Sequence, residues 1–167
     1  MVQYEDGIVV DNNHYVAAMD LPNMDLVKHM ENDQLMNPDG QTEFRSAVGK
    51  LTSLAHTSRP DICFDVKTMA SKLGKATKKD LQSAMTRMMK VKTELTTMRF
   101  SNLGINLQDW LLVGFGNAGV KSMPDKITSV GGHVKFLCDT KTNQCCVLGW
   151  KSRKIKRKVI SSLAGET

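Results

Sequence analysis

The chain has 167 residues, of which 41% are hydrophobic and 24% charged, and its formal net charge is +6. That length holds one domain with a modest core or two small units, and the composition is that of an ordinary globular chain rather than a disordered or fibrous one. No run approaches the roughly 18 apolar residues of a membrane helix and no apolar stretch follows a basic start, so neither a membrane span nor a secretory signal is expected, and the expected setting is intracellular, cytoplasmic or nuclear.

Charge is unevenly spread. Residues 1–40 hold eight acids and one base, Lys28, a balance of −7, whereas residues 41–167 carry 22 bases against nine acids, or +13. An acidic lead-in joined to a basic body suggests a polyanionic partner for the body. The four cysteines, Cys63, Cys138, Cys145 and Cys146, form no Cys-x-x-Cys pair, and the four histidines are scattered. A zinc site needs two close ligand pairs, so reduced, partly buried thiols are the expectation.

In the lead-in, Val2–Tyr4 and Ile8–Val10 can pair across Glu5-Asp6-Gly7 as a hairpin. Asn37-Pro38-Asp39-Gly40 is a dense turn signal and marks the first segment boundary. From Thr42 to about Thr57 the pattern is helical, with Phe44, Val48, Leu51, Leu54 and Ala55 on one face. Arg59-Pro60-Asp61 stops that helix, because the residue before a proline avoids the helical region. A second helix is predicted from Asp61 to about Leu73, with Ile62, Val66, Met69 and Ala70 on one face and Gly74 as its stop. Thr77-Lys78-Lys79-Asp80 has the form of a capping box with Asp for Glu. It opens a third helix to about Leu95, whose Leu81, Ala84, Met85, Met88 and Met89 read as a core stripe.

After Met98 the character changes to strands. Trp110–Phe115 is an apolar run, Val130–Cys138 alternates, and Cys145–Trp150 reads as a third strand after a polar connection at 139–144. Together they predict an antiparallel meander. Six bases then crowd into eight positions: Lys151, Arg153, Lys154, Lys156, Arg157 and Lys158. Such a run suits salt-sensitive, sequence-tolerant contact with a phosphate backbone; the alternative is a solvated strand edge that discourages aggregation. Aromatic residues are only 5% of the chain, which argues against base stacking as the mode of recognition. Ser161–Glu166 has the form of a helix start with a Ser cap. The chain stops one residue after this stretch, and a helix that begins so late buries no face, which suggests truncation.

Several of these stretches carry a family resemblance. Phe44-Arg45-Ser46-Ala47-Val48-Gly49-Lys50-Leu51, followed by Thr57-Ser58-Arg59-Pro60-Asp61-Ile62, is similar to the Tyr-Arg-Ser-x-Val-Gly-x-Leu … Thr-Arg-Pro-Asp-Ile pattern of copia-type retrotransposon polyproteins, just past the polymerase palm. Leu112–Ala118 resembles the first ribonuclease H strand of that family, and Lys126–Gly132 its second-strand entry. Trp150-Lys151-Ser152-Arg153-Lys154 through Ser161–Glu166 resembles its Trp-x-Ser-Lys-Lys … Ser-Ser-x-x-Ala-Glu segment. The resemblance covers residues 41–167 well and 1–40 weakly. Together with the charge and element pattern, it implies an α+β chain in three parts: an acidic turn-rich lead-in over 1–40, a helical thumb or connection bundle over 41–97, and an incomplete ribonuclease H-like three-stranded meander over 108–167.

The parent family copies RNA into DNA and hydrolyses the RNA of the hybrid. That hydrolysis uses two Mg²⁺ ions about 4 Å apart, held by hard carboxylate oxygens. By motif, Asn117 stands at the strand aspartate position and Glu166 at the helix glutamate position. An amide cannot bridge two cations as a carboxylate does, so Asn117 is expected to disable the site. Glu166 would ligate metal only in a completed site, or else sit near a helix start as a solvated acid. Asp125 and Asp139, the nearest other acids, read as loop residues. The Tyr-x-Asp-Asp polymerase motif and an Asp-Ser/Thr-Gly protease motif are absent, and Gly49-Lys50 lacks the rest of a phosphate loop. The resemblance therefore implies a pseudoenzyme fragment that binds RNA–DNA hybrid or other nucleic acid through the six bases, with no bound Mg²⁺. The remainder of a polyprotein would be its other partner. Two alternatives stand beside it: a domesticated nucleic-acid-binding or interaction module, and a Mg²⁺-dependent ribonuclease H that needs residues beyond this chain.

Overall fold

A computed structural model describes residues 2–103, 106–119 and 129–155. Among these, the chain is α+β, with four α-helices and two three-stranded antiparallel sheets. It divides into two units, 12–96 and the combination of 1–11 with 97–167. This differs from the expected segments. The acidic lead-in is not separate: its first residues join the strands, and Val16, Met19, Val27 and Met36 enter the helical core.

The helical unit holds α1 (Asn13–Ala18), α2 (Pro38–Thr57), α3 (Cys63–Ala70) and α4 (Lys78–Thr93). Helix α2 begins four residues before the periodic pattern does. Asn37, expected as a turn, is its N-cap; the side-chain oxygen accepts from Gly40 N at 2.9 Å, and Pro38 occupies the first turn, where no N–H is needed. The apolar stripe of α2 is buried as its spacing required, with Phe44 and Leu51 fully enclosed. Helix α3 is shorter than expected, because Pro60–Ile62 forms a 3-10 turn ahead of it and Gly74, at φ +81°, follows its end. Helix α4 opens on the expected capping box: Thr77 N donates to Asp80 Oδ2 at 2.9 Å. Its methionines divide. Met88 is buried with Leu81, Ala84 and Val91, whereas Met89 is exposed. A 3.6-residue period gives α4 one face toward α2, and Met89 falls off that face.

The strand unit holds a first sheet of β1 (Val2–Tyr4), β2 (Gly7–Asp11) and β3 (Thr97–Ser101), in that order. The β1–β2 hairpin turns at Glu5-Asp6 as expected, with Tyr4 opposite Gly7. Its pairing with β3, where Ile8 meets Phe100, joins positions more than 90 residues apart and has no local sequence signal. Gly7 takes φ +154°, and a Cβ there would overlap the carbonyl oxygen of Phe100. The second sheet is the expected meander of β4 (Trp110–Gly119), β5 (Val130–Asp139) and β6 (Cys145–Lys154). Strand β6 runs four residues past the predicted Trp150, so Lys151, Arg153 and Lys154 lie on a strand rather than beyond it. The Cys146 thiol donates to Ser101 O at 3.1 Å and so ties β6 to β3.

The expectation of four reduced thiols is corrected. Cys138 and Cys145 stand opposite each other at the closed end of the β5–β6 hairpin and form a disulfide, with Cα atoms 4.1 Å apart. Cys63 and Cys146 are not in a disulfide. The pairing follows from the hairpin register, which sets the two strand ends on either side of the 139–144 connection opposite each other.

Candidate nucleic-acid interface

Alternation along a strand sends neighbouring side chains to opposite faces of its sheet. That rule divides the expected basic run. Strand register places Lys151 opposite His133 and Arg153 opposite Gly131, while Lys154 lies opposite Val130 and Ser152 opposite Gly132. Lys151 and Arg153 therefore share one face, and Lys154 takes the other. Lys156, Arg157, Lys158 and Glu166 lie outside the described residues.

The face with Lys151 and Arg153 also receives His133 and Lys135, two positions the basic run did not include. Lys135 pairs with Gly149 on β6 and Gly114 on β4, and His133 pairs with Gly116. The four polar side chains are all exposed. Between them lies a floor with little side-chain bulk. A Cβ at Gly114 or Gly149 would meet nothing within 4 Å, and one at Gly116 would come no closer than 3.8 Å. Along a strand, in-phase residues sit about 7 Å apart, and neighbouring strands about 4.8 Å. The result is an exposed cationic patch over a glycine-rich stretch of the sheet. No acid of β4, β5 or β6 shares its in-phase rows over 114–118, 131–135 and 149–153. The signal for His133 and Lys135 was present as period-2 spacing from Gly131, but only the register aligns them with Lys151 and Arg153.

The opposite face is apolar in its middle. Val113 aligns with Phe136, and Phe115 with Val134 and Trp150. The rings of Phe115 and Phe136 meet edge to face, 6.1 Å between centroids. Asn117 lies on this side at the far end of β4, exposed, in a row with Gly132 and Ser152. That row supplies an amide and a hydroxyl and no carboxylate. Among the described residues no group of three or more His, Cys, Asp or Glu side chains is placed to hold a metal ion. The described part of the site does not fit a two-metal centre, which needs bridging carboxylates. Asp139 is no substitute: it is buried at the hairpin turn, where its Oδ1 accepts from Lys141 N at 2.8 Å. Asp125 is outside the described residues.

The helical unit is also rich in lysine and arginine, but its best-placed cations are committed to structure. Lys92 Nζ donates to the carbonyls of Val16, Ala17 and Met19, which closes the C-terminal end of α1. Lys78 Nζ donates to Lys28 O and Met30 O. Lys72 pairs with Asp80 and Arg87 with Asp65, so the cleft of about 430 Å³ between α3 and α4 is largely self-neutralised. Arg59, in the Arg-Pro-Asp motif, is buried. Its Nε and terminal nitrogen grip Asp61 at 2.9 and 2.8 Å, and its other nitrogen donates to Glu94 O at 2.8 Å. The motif is thus a clamp between the start of α3 and the end of α4. The hydrogen bond from Arg59 holds the Asp61 carboxyl below its ordinary range. Burial pushes Asp80 up, but the hydrogen bonds from Lys72 and from Thr77 N outweigh it and leave that carboxyl below its ordinary value.

No helix among the described residues is long and apolar enough to cross a membrane. Comparison with protein-family models, with curated proteins and with solved structures returned no match for this chain.

Proposed function

We propose that this chain is a nucleic-acid-binding piece of a copia-type reverse transcriptase–ribonuclease H polyprotein, and that its β4–β6 sheet belongs to a ribonuclease H-like fold. The observation that carries the binding is the exposed patch of Lys135, His133, Lys151 and Arg153 over a glycine floor. The motifs at 44–62 and 112–118 carry the family reading. The ligand is RNA–DNA hybrid, held by its phosphates, with each neutralised phosphate releasing condensed counterions. Hydrolysis is not assigned to the chain, because Asn117 and its row offer no charged metal ligand. The intact parent would use Mg²⁺; this chain is a binder without it.

Fluorescence anisotropy of an end-labelled hybrid duplex tests the reading. Binding should weaken steeply with salt, and incubation with Mg²⁺ should leave the RNA strand intact. Salt-independent binding would remove the phosphate model, and Mg²⁺-dependent cleavage would remove the assignment of Asn117 as disabling.

A further inference from the structure

We propose that Cys138 and Cys145 form a redox modification site that exchanges reversibly with a small-molecule thiol of the glutathione class. The two residues face each other across β5 and β6 and are joined as a disulfide. Cys145 is exposed and Cys138 half-buried, so an incoming thiolate reaches the Cys145 sulfur first.

The hairpin does not need the disulfide to keep its shape. Asp139 N donates to Gln144 O at 2.8 Å, and Asn143 N donates to Asp139 O at 2.9 Å. The Asp139 carboxylate accepts from the backbone of Lys141 and Thr142, and Asn143 takes φ +57° to complete the turn. Both redox forms therefore fit one backbone, and exchange requires no refolding.

Cys146 is the obvious competitor, one residue from Cys145, and strand alternation removes it. It points to the other face, is buried, and donates its thiol proton to Ser101 O. Shuffling of the disulfide onto Cys146 would require β6 to turn over.

Reduction proceeds in two exchanges. A glutathione thiolate attacks the Cys145 sulfur, a new sulfur–sulfur bond forms, and the Cys138–Cys145 bond breaks. Cys138 leaves as a thiolate and takes a proton from water. A second glutathione thiolate then attacks the glutathione sulfur of the mixed disulfide and releases Cys145. Overall, one protein disulfide and two glutathione thiols give two protein thiols and one glutathione disulfide.

The test uses the full chain equilibrated in buffers of varied glutathione to glutathione-disulfide ratio, quenched in acid, then denatured and alkylated. Mass spectrometry should count two labels at the oxidised end, on Cys63 and Cys146, and four at the reduced end, with one midpoint between. Cys138→Ser should capture glutathione on Cys145 in the disulfide-rich buffer. Four labels at every ratio, or two at every ratio, overturns the proposal. So does a disulfide that maps to Cys146, or a Cys138→Ser chain whose Cys145 stays unmodified. Hybrid binding plays no part in these readouts, so they stand or fall apart from the proposed function.

Discussion

Neutralising Lys135, Lys151 and Arg153 together should remove most of the salt dependence of hybrid binding, whereas Lys154→Gln should barely change it. The three cations share one exposed face, and Lys154 points to the other. With three phosphates neutralised and about 0.9 in slope for each, log K should fall with log salt at roughly −2.7. A fourfold rise in salt, from about 50 to 200 mM, then weakens binding about 40-fold. Each single change to Gln should lower the slope by about 0.9. Anisotropy titrations at four or five salt concentrations resolve such steps. Equal losses from Lys151→Gln and Lys154→Gln would refute the reasoning, since charge count along the run, rather than the face of the sheet, would then decide binding.

Acid should destabilise the helical unit through Asp61 and Asp80. Both carboxyls are held low when folded, so their stabilisation is complete above the unfolded value of about 4 and is lost as pH falls through the folded values below it. Helical circular dichroism followed from pH 7 downward should show this loss, and Asp80→Asn should flatten the profile. At neutral pH, Asp80→Asn removes the Lys72 pair and weakens the capping box, for a loss of about 1–2 kcal/mol in urea melts. Gly7→Ala should cost more than a typical surface change, because the new Cβ meets the backbone of Phe100 on the neighbouring strand. Thermal melts of the β1–β3 region check it, and an unchanged melting temperature would contradict the tight register at Gly7.

Much of the local structure could be read directly. The stripe of Phe44, Val48, Leu51, Leu54 and Ala55 names a buried helix face because 3.6 residues per turn bring those positions into line. The capping box at Thr77 and Asp80 and the three meander strands were visible for similar short-range reasons. Asn37 is a helix N-cap at the expected boundary rather than a turn residue, because Asn-Pro-Asp-Gly serves equally as a turn and as a helix start. The choice falls to the helix, whose first turn has room for a proline.

The candidate interface was only half visible. Period-2 alternation within β6 separates Lys154 from Lys151 and Arg153 once the strand is known to run to Lys154. Nothing local says that it does. His133 and Lys135 join the patch solely through pairing with β6, and Cys138 meets Cys145 in the same way. Pairing of β2 with β3 brings together residues from opposite sides of the whole helical unit in sequence. The sequence by itself determined helix faces, caps, strand positions and the surplus of positive charge, all properties of neighbours within a few residues. Tertiary structure alone decided which cations share a surface and which lysines close helix ends, because register and packing act between residues that the chain order keeps apart.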